Sequence, residues 1–340
     1  MVDHELQLTV SPSPHLRSPA TVSHAMRDVL IALAPVTAVS IVLFKWSAVF
    51  LIFVCMATAV LTELLFRKVM KKPHSLRDGS ALVTGLLVAL LFGAGTAWWT
   101  AILATFIGIG LAKELMGGLG WNRFNPALFG RLAVIMLVPV FNYVTVTFAP
   151  LRPFFGSMDV VTQATPLALL KQGVVEYMPP LSRLFLAHPG GSLSETSALA
   201  VLIGGAYLIY KKHISWHIPM AIIGTTFLYG LIAEGSFYLG VYHVVAGGVM
   251  IGALFMATDW VTSPITPKGK LIFGVCIGLL LMTFRVFLAP TEGMAFSILI
   301  MNACVPLIDR LTKRPKFGEV QVKEEKTAPA AAKPAVGKSN

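Results

Sequence analysis

The amino-acid sequence predicts an all-α membrane protein with about ten transmembrane helices. Hydrophobic residues make up 56% of the 340 residues and charged residues only 13%, whereas about a quarter of an average soluble chain is charged. Apolar runs approach the length of about 20 residues that crosses a bilayer. The basic residues, which give a net charge of +11, lie in short segments between these runs, as the positive-inside rule describes. The charge therefore indicates a lipid bilayer, and no nucleic-acid partner is predicted.

The first predicted transmembrane half covers residues 27–146 and follows a cytoplasmic N-terminal segment, residues 1–26. Its five spans are expected near residues 29–44, 46–66, 80–95, 98–116 and 127–146. The third span is short on its apolar side and is entered through a polar turn that contains glycine. Such a pattern is typical of a broken or re-entrant helix.

The second predicted half covers residues 195–308, after a long segment from residue 147 to residue 194. Its spans are expected near residues 196–210, 218–233, 241–257, 271–287 and 293–308. Within the third of these, Ala246, Gly247 and Gly248 are interpreted as packing positions, since small residues let helices approach closely. The tail, residues 309–340, is rich in Lys, Ala and Pro and is expected to be disordered.

Basic residues predict the sidedness of the chain. They cluster at alternate ends of the predicted spans, which places those ends and both termini in the cytoplasm. The long segment 147–194 is then extracytoplasmic. The clusters are Arg17/Arg27, Arg67/Lys68/Lys71/Lys72/Arg77, Arg123, Lys211/Lys212, Lys268/Lys270 and Arg310/Lys313/Arg314/Lys316.

The long segment contains one short polar stretch, residues 159–167, which is the strongest candidate for chemistry. Long connections in compact proteins are usually functional or disordered. On physical grounds Thr165-Pro166 is also a good helix start, because a threonine hydroxyl can cap a free backbone N–H and proline suits the first helical position. From these residues alone, a helix cap and a chemically active threonine both remain open.

The same stretch resembles the flavinylation motif of two related families. One is the subunit designated D in the Rnf electron-transport complex (RnfD), and the other is the subunit designated B in the Na+-translocating NADH:quinone reductase. Gln163 departs from the motif, which has glycine there. The resemblance implies that Thr165 carries FMN through a phosphoester bond, installed by a flavin transferase that uses FAD. It also makes Asp159 and Thr162 recognition or phosphate-neighbouring residues. The positions that match the motif are Asp159, Thr162, Ala164, Thr165 and Pro166.

The resemblance continues along most of the chain and is closer to RnfD, the shorter of the two. The other matching runs are residues 75–85, 118–127, 194–197, 255–264 and 301–309. It implies a fold similar to urea transporters, with two inverted sets of five helices. Two short internal similarities contradict each other. Residues 78–82 resemble 195–199, where the helices run in opposite directions, as an inverted repeat requires. Residues 124–127 resemble 262–265, but both segments are predicted on the cytoplasmic side. The sequence by itself therefore does not establish the repeat.

A second candidate site is the predicted cytoplasmic loop of residues 117–126. It combines glycines with Asn122, Arg123, Phe124 and Asn125, so backbone could approach a ring system while side chains supply hydrogen bonds. A tight turn between helices explains the same residues equally well. The resemblance implies a non-covalent second flavin, riboflavin, in this protein, and these four residues are the candidate loop for it.

Ionisable residues beside the spans are functional hypotheses, because each is costly in lipid. Capping and snorkelling are the commoner explanations, also for Asp78 and Glu195, which open spans. The three cysteines lie far apart in apolar runs, and no metal site is predicted. The ionisable residues are Glu63, Asp78, Lys113, Glu114, Glu195, Glu234, Asp259 and Asp309.

The resemblance implies a multi-pass flavoprotein subunit in the bacterial cytoplasmic (inner) membrane, inactive alone. It would carry electrons in an Rnf-type complex that couples ferredoxin/NAD redox chemistry to Na+ or H+ translocation. Its implied partners are the other members of the complex, including an extracytoplasmic flavoprotein, and the flavin transferase. Two alternatives stay open: a counterpart of the B-type component of the Na+-translocating NADH:quinone reductase, and a urea-type channel or transporter without flavin.

Overall fold

The computed structural model describes residues 21–72, 76–137, 166–172, 178–188, 190–288 and 293–312, and every regular element within these ranges is a helix. Two 3-10 turns, Leu76–Asp78 and Leu193–Glu195, precede α3 and α8. The first helices are α1 Val22–Phe44, α2 Trp46–Val69, α3 Ser80–Leu91, α4 Trp98–Ile107 and α5 Pro126–Leu137, followed by the short α6 Pro166–Lys171 and α7 Leu181–Leu186. The remaining helices are α8 Ala198–Tyr210, α9 His217–Glu234, α10 Phe237–Val245, α11 Val249–Ile251, α12 Pro267–Phe287 and α13 Met294–Leu311.

Helix α1 begins seven residues before the predicted span, and a cap explains the difference. The Thr21 side chain accepts a hydrogen bond from the amide of His24 at 3.3 Å, which satisfies one of the free N–H groups of the first turn. Helix α12 begins in the same way, since Thr266 Oγ1 accepts from the Gly269 amide at 3.0 Å and Pro267 opens the helix. Polar first turns therefore extend both helices beyond their apolar runs.

The helices identify a multi-pass membrane protein. Among the described residues, α1, α2, α9, α12 and α13 are long and apolar enough to cross a bilayer, and α10 with α11 makes a sixth span if the bent pair is counted as one. Helices α3, α5 and α8 are apolar but shorter. Helix α4 continues without a break into a π-helix, Gly108–Glu114. The prediction of a short third span agrees with α3, which ends at Leu91.

The span predicted at residues 241–257 is a broken helix, which is interrupted at Ala246, Gly247 and Gly248. The two parts, Phe237–Val245 and Val249–Met256, meet at 63°. Gly247 and Gly248 have φ of 72° and 68°, a left-handed conformation that favours glycine. The interpretation of these small residues as packing positions missed this backbone role. After α11 the chain forms a second π-helix, Gly252–Met256.

The helices pack in the same order in both parts of the chain. Helix α2 packs on α3 and α4, and α4 packs on α5; likewise α9 packs on α10 and α12, and α12 packs on α13. Helix α1 packs on α8 and joins the two parts. One continuous apolar core runs between them, from Leu33 and Leu90 to Ile251 and Phe273. The 117–125 loop, the loop after α8 and the start of α12, which carry predicted basic clusters, line two neighbouring cavities at one end of this bundle, called the basic end below.

Candidate functional site

The predicted attachment segment is described only from Pro166 onward. Asp159, Thr162, Ala164 and Thr165 lie outside the described residues. Pro166 is buried and opens α6, as expected for a proline at the first helical position. The described part of the segment therefore shows where the chain goes immediately after Thr165.

Helix α6 lies on the break between α10 and α11, at the end of the bundle opposite the basic end. Leu167 packs with Tyr242 and Ala246 in a small apolar cluster. A methyl group added at Gly247 would overlap Leu167 Cδ1. At the end of α6, Lys171 Nζ donates to the carbonyl of Leu288. The segment after Thr165 is thus fastened to the broken helix.

Arg285, on α12, stabilises this break. The residue is 5% exposed. Its guanidinium donates to three carbonyls that a continuous helix would have used, those of His243 (2.5 Å), Ala246 (3.0 Å) and Gly247 (3.0 Å). Backbone groups freed in a membrane helix need such a partner. This cation inside α12 therefore has a structural role.

At the basic end a cavity of about 820 Å³, including its opening, lies between both parts of the chain. This main cavity is lined by the start of α1, α3, the end of the first π-helix, the 117–125 loop, the loop after α8 and the loop after the second π-helix. Most of the lining is apolar, with a few polar groups. This composition is typical of small-molecule and cofactor sites.

Of the four candidate loop residues, Asn122 and Asn125 line the main cavity. Asn122 is 5% exposed. Its Nδ2 donates to the Phe124 carbonyl at 3.4 Å, and its Oδ1 has no hydrogen-bond partner. Arg123 is exposed, and Phe124 packs on Phe129 with ring centroids 5.9 Å apart. A buried acceptor without a donor is costly, so Asn122 Oδ1 offers a hydrogen-bonding position to a ligand with an N–H or O–H group.

Asn125 is occupied by structural contacts. Its Oδ1 accepts from the amides of Ala127 (3.0 Å) and Leu128 (3.4 Å), which caps α5, and its Nδ2 donates to the Met256 carbonyl at 3.2 Å. These bonds tie the 117–125 loop to the end of the second π-helix. Asn125 therefore shapes the cavity wall, and Asn122 supplies the free acceptor.

Four ionisable residues form a buried network beside the cavity. Lys113 Nζ, at the end of the first π-helix, lies 2.7 Å from Glu63 Oε2 and donates to Ser80 Oγ at 2.7 Å. Arg67 Nε lies 3.6 Å from Glu63 Oε1 and 3.3 Å from Glu114 Oε2. The sequence singled out Glu63, Lys113 and Glu114 but favoured snorkelling or capping. It missed their pairing because α2 and the π-helix bring them together from 50 residues apart.

The two carboxylates that open predicted spans behave differently. Asp78 Oδ1 accepts from the Ser80 amide at 2.8 Å and from Ser80 Oγ at 2.7 Å, so it satisfies the first free N–H of α3, although Gly79 is the capping residue. Helix α8 is instead capped by Ser197, whose hydroxyl accepts from the Ala200 amide at 3.2 Å. Glu195 lies in the preceding 3-10 turn, where its carboxylate faces Gly191 and Gly248.

Sequence analysis also missed a cluster at the mouth of the main cavity. His213 Nε2 lies 2.7 Å from Asp28 Oδ2, and the Tyr207 hydroxyl donates to Asp28 Oδ1 at 3.1 Å. Trp260 Nε1 donates to the His213 carbonyl at 2.6 Å. No motif or spacing joins these residues, so only the fold reveals them. Nearby, burial raises the pKa of the Asp259 carboxyl, although the Thr262 hydroxyl donates to it and acts in the opposite direction.

Comparison with known proteins gives relatives along the full chain. The NQR2, RnfD, RnfE family matches residues 9–318. Three relatives are the D subunits of such complexes. The D subunit of the Na+-translocating ferredoxin:NAD+ oxidoreductase complex of Acetobacterium woodii is 41% identical over 96% of this chain and 100% of its own length. That of the proton-translocating ferredoxin:NAD+ oxidoreductase complex of Clostridium ljungdahlii is 40% identical over 91% of this chain and 96% of its own. That of the ion-translocating oxidoreductase complex of Stutzerimonas stutzeri is 34% identical over 88% and 93%.

The fold and the buried sites define a multi-pass α-helical membrane protein with a broken helix and a cavity at its basic end. The chain belongs to the NQR2, RnfD, RnfE family. The resemblance drawn from the motifs is thereby confirmed at the level of the family and of RnfD.

Proposed function

We propose that this chain is the membrane flavoprotein RnfD of an Rnf-type complex in a bacterial cytoplasmic membrane. There it passes electrons between ferredoxin- and NAD-linked subunits and an extracytoplasmic flavoprotein, and the complex moves an ion. The observation that carries the proposal is relatedness over whole chains to the corresponding members of ferredoxin:NAD+ oxidoreductase complexes. A urea-type channel without flavin has no comparable support.

Thr165 is proposed to hold FMN through a phosphoester bond made by a flavin transferase, with Asp159, Thr162 and Ala164 in the recognised motif. The flavin would supply the redox chemistry, and the protein would supply its position. The support from the described residues is the anchoring of Pro166 and Leu167 on the broken helix. The chain immediately after Thr165 is therefore anchored on the bundle.

The main cavity is proposed to hold a non-covalent flavin, which the family resemblance identifies as riboflavin. The residues fit such a group, because the cavity is mostly apolar and Asn122 Oδ1 is a buried acceptor without a donor. Asn122 would accept from a ring N–H, and Asn125 would hold the wall in shape. Arg123 and Phe124, which point elsewhere, would not touch the ring system.

The proposed topology has ten spans in two inverted halves, 27–146 and 195–308, with segment 147–194 outside the cell membrane and both ends, 1–26 and 309–340, in the cytoplasm. The repeated order of helix packing supports two halves of five. An odd number of spans in each half makes the second half run inverted.

The coupling ion is left open in the proposal. The relatives from Acetobacterium woodii and Clostridium ljungdahlii are 41% and 40% identical to this chain, and their names state Na+ and protons respectively. Similarity to these two proteins therefore favours neither ion.

In-gel ultraviolet fluorescence of the denatured protein tests the covalent flavin. The chain is expressed with its flavin transferase as the native sequence, as Thr165→Val and as the matched control Thr162→Val. The native chain should give a fluorescent band that is abolished only by Thr165→Val; a weaker band in Thr162→Val would agree with a recognition role. A native chain without fluorescence would overturn covalent flavin and favour the channel. Co-purified partners then distinguish an Rnf-type from a quinone-reductase-type complex.

A further inference from the structure

Asp28 and His213 form a hydrogen-bonded pair that no part of the proposed function uses. His213 Nε2 lies 2.7 Å from Asp28 Oδ2, and Tyr207 donates to the other carboxylate oxygen at 3.1 Å. A carboxylate that accepts on one oxygen favours an N–H on the imidazole nitrogen facing it. Nε2 therefore carries the N–H that donates to the Asp28 carboxylate, and Nδ1 is the nitrogen of His213 that is available for proton exchange.

His213 borders the main cavity and a second cavity of about 550 Å³, including its opening, at the basic end. It lines both, together with Trp260. The Trp260 indole donates to the His213 carbonyl at 2.6 Å, and the two rings lie 5.9 Å apart. The side chains of His213 and Asp28 are 20% and 15% exposed. The imidazole is thus held by its side chain and its backbone where cavity and solvent meet.

The other charged groups around the main cavity are engaged elsewhere. Lys113 is paired with Glu63 and Ser80, and Asp259 accepts from Thr262. Imidazole is the side chain that ordinarily changes charge between pH 5 and 8. Asp28 contacts His213, and Tyr207 and Lys211 lie near Asp28. The other charged groups that line a cavity together with His213 are Lys113, Asp259 and Lys270.

We propose that His213, positioned by Asp28, exchanges protons between the main cavity and water at the basic end. The proposal rests on the proposed non-covalent flavin. A flavin ring that receives two electrons from the redox partners of the complex takes up two protons to reach its neutral reduced form. For each proton, the Nδ1–H bond of the imidazolium would break as an N–H bond forms on the ring, and a hydronium ion from bulk water would return a proton to Nδ1 and leave as water. Asp28 stays ionised and balances the imidazolium charge.

The test uses the full chain with Thr165→Val, so that any remaining flavin absorbance belongs to the non-covalent flavin. Rapid-mixing absorbance follows its reduction by dithionite from pH 5.5 to pH 8.5. General acid catalysis typically contributes about 10²–10⁴-fold. His213→Ala should therefore retain flavin, be reduced at least about tenfold more slowly at pH 7, and be accelerated by added imidazole. His217→Ala is the matched control, because that imidazole stacks on Trp216 and does not line the main cavity.

The outcomes separate the two proposals. If the His213→Ala chain retains flavin, and this flavin is reduced at the reference rate with no effect of imidazole, the proton role of His213 is overturned and the flavin site is not affected. If His213→Ala loses flavin, His213→Gln decides, since an amide can still donate to Asp28 but does not titrate: slow reduction supports the role and normal reduction overturns it. A reference chain without acid-extractable flavin overturns the second flavin and this role together.

Discussion

Leu167 lies directly on Gly247, so the first turn of α6 is seated on the break between α10 and α11. A side chain at position 247 would overlap Leu167 Cδ1 and come within 2.8 Å of Arg285 Nη2. Gly247 also has φ of 72°. This contact links the segment after Thr165 to the one place where a described membrane helix is interrupted.

Gly247→Ala is expected to destabilise the chain more than the same change at other glycines. The left-handed backbone costs about 1–2 kcal/mol for alanine, and overpacking adds about 1–3 kcal/mol. Gly235→Ala controls for the backbone, because Gly235 has φ of 62° and open space around it; Gly224→Ala controls for the methyl group alone. Thermal unfolding in detergent should rank the three in that order. Equal effects of Gly247→Ala and Gly235→Ala would show that the Leu167 contact is unimportant.

Arg285→Met is expected to lower stability by roughly 3 kcal/mol or more, because hydrogen bonds to a charged group contribute about 1.5–3 kcal/mol each and three carbonyls lose their donor. Arg285→Lys should restore only part of the loss, since one ammonium lacks the planar fork of the guanidinium. Arg310→Met, an exposed arginine at the end of α13, is the control. Unfolding temperatures in detergent measure all three. An Arg285→Met chain as stable as Arg310→Met would mean that the break holds without the guanidinium.

The break also shows where sequence reasoning stops. Apolar runs and basic loops located the long helices, because hydrophobicity and charge act locally. Gly247 and Gly248 lie inside an apolar run, where small residues also serve to let helices approach closely. The difference here depends on Arg285, whose three bonds to the freed carbonyls come from a helix 38 to 42 residues further along the chain. Long-range partners of this kind leave no local pattern.

Lys113→Met is expected to be strongly destabilising, and a second change should relieve it. Removing one partner of a buried ion pair costs about 3–5 kcal/mol, mainly because the other charge stays buried without compensation. Lys113→Met together with Glu63→Gln should therefore recover part of the stability lost by Lys113→Met alone. Lys68→Met, an exposed lysine on α2, is the control.

Thermal unfolding of the native chain, the two single variants and the double variant measures the coupling between Lys113 and Glu63 as a double-mutant cycle. Additive losses would show that the 2.7 Å pair contributes no interaction energy. Arg67, which also approaches Glu63 and Glu114, is unchanged throughout the cycle.

The internal repeat illustrates a second limit of sequence reasoning. The similarity of 78–82 to 195–199 joins the start of α3 to the start of α8, and the similarity of 124–127 to 262–265 joins the start of α5 to the approach to α12. Neither pairs helices that share a place in the packing order, in which α3 matches α10 and α4 matches α12. Short polar matches recur because helix starts use the same residue types. The order of helix packing is the stronger support for two halves.

Asn122→Leu is expected to weaken non-covalent flavin binding and leave the covalent flavin unchanged. The substitution keeps a similar side-chain volume and removes the acceptor that faces the cavity without a donor. A typical net hydrogen bond contributes about 0.5–1.5 kcal/mol, and about 1.4 kcal/mol corresponds to a tenfold change in Kd. Titration of the flavin-depleted chain with riboflavin, followed by fluorescence quenching, should show a Kd raised up to about tenfold. Arg123→Leu, an exposed neighbour that does not line the cavity, should bind as the native chain does; equal weakening by both variants would place the flavin against the loop surface instead of inside the cavity.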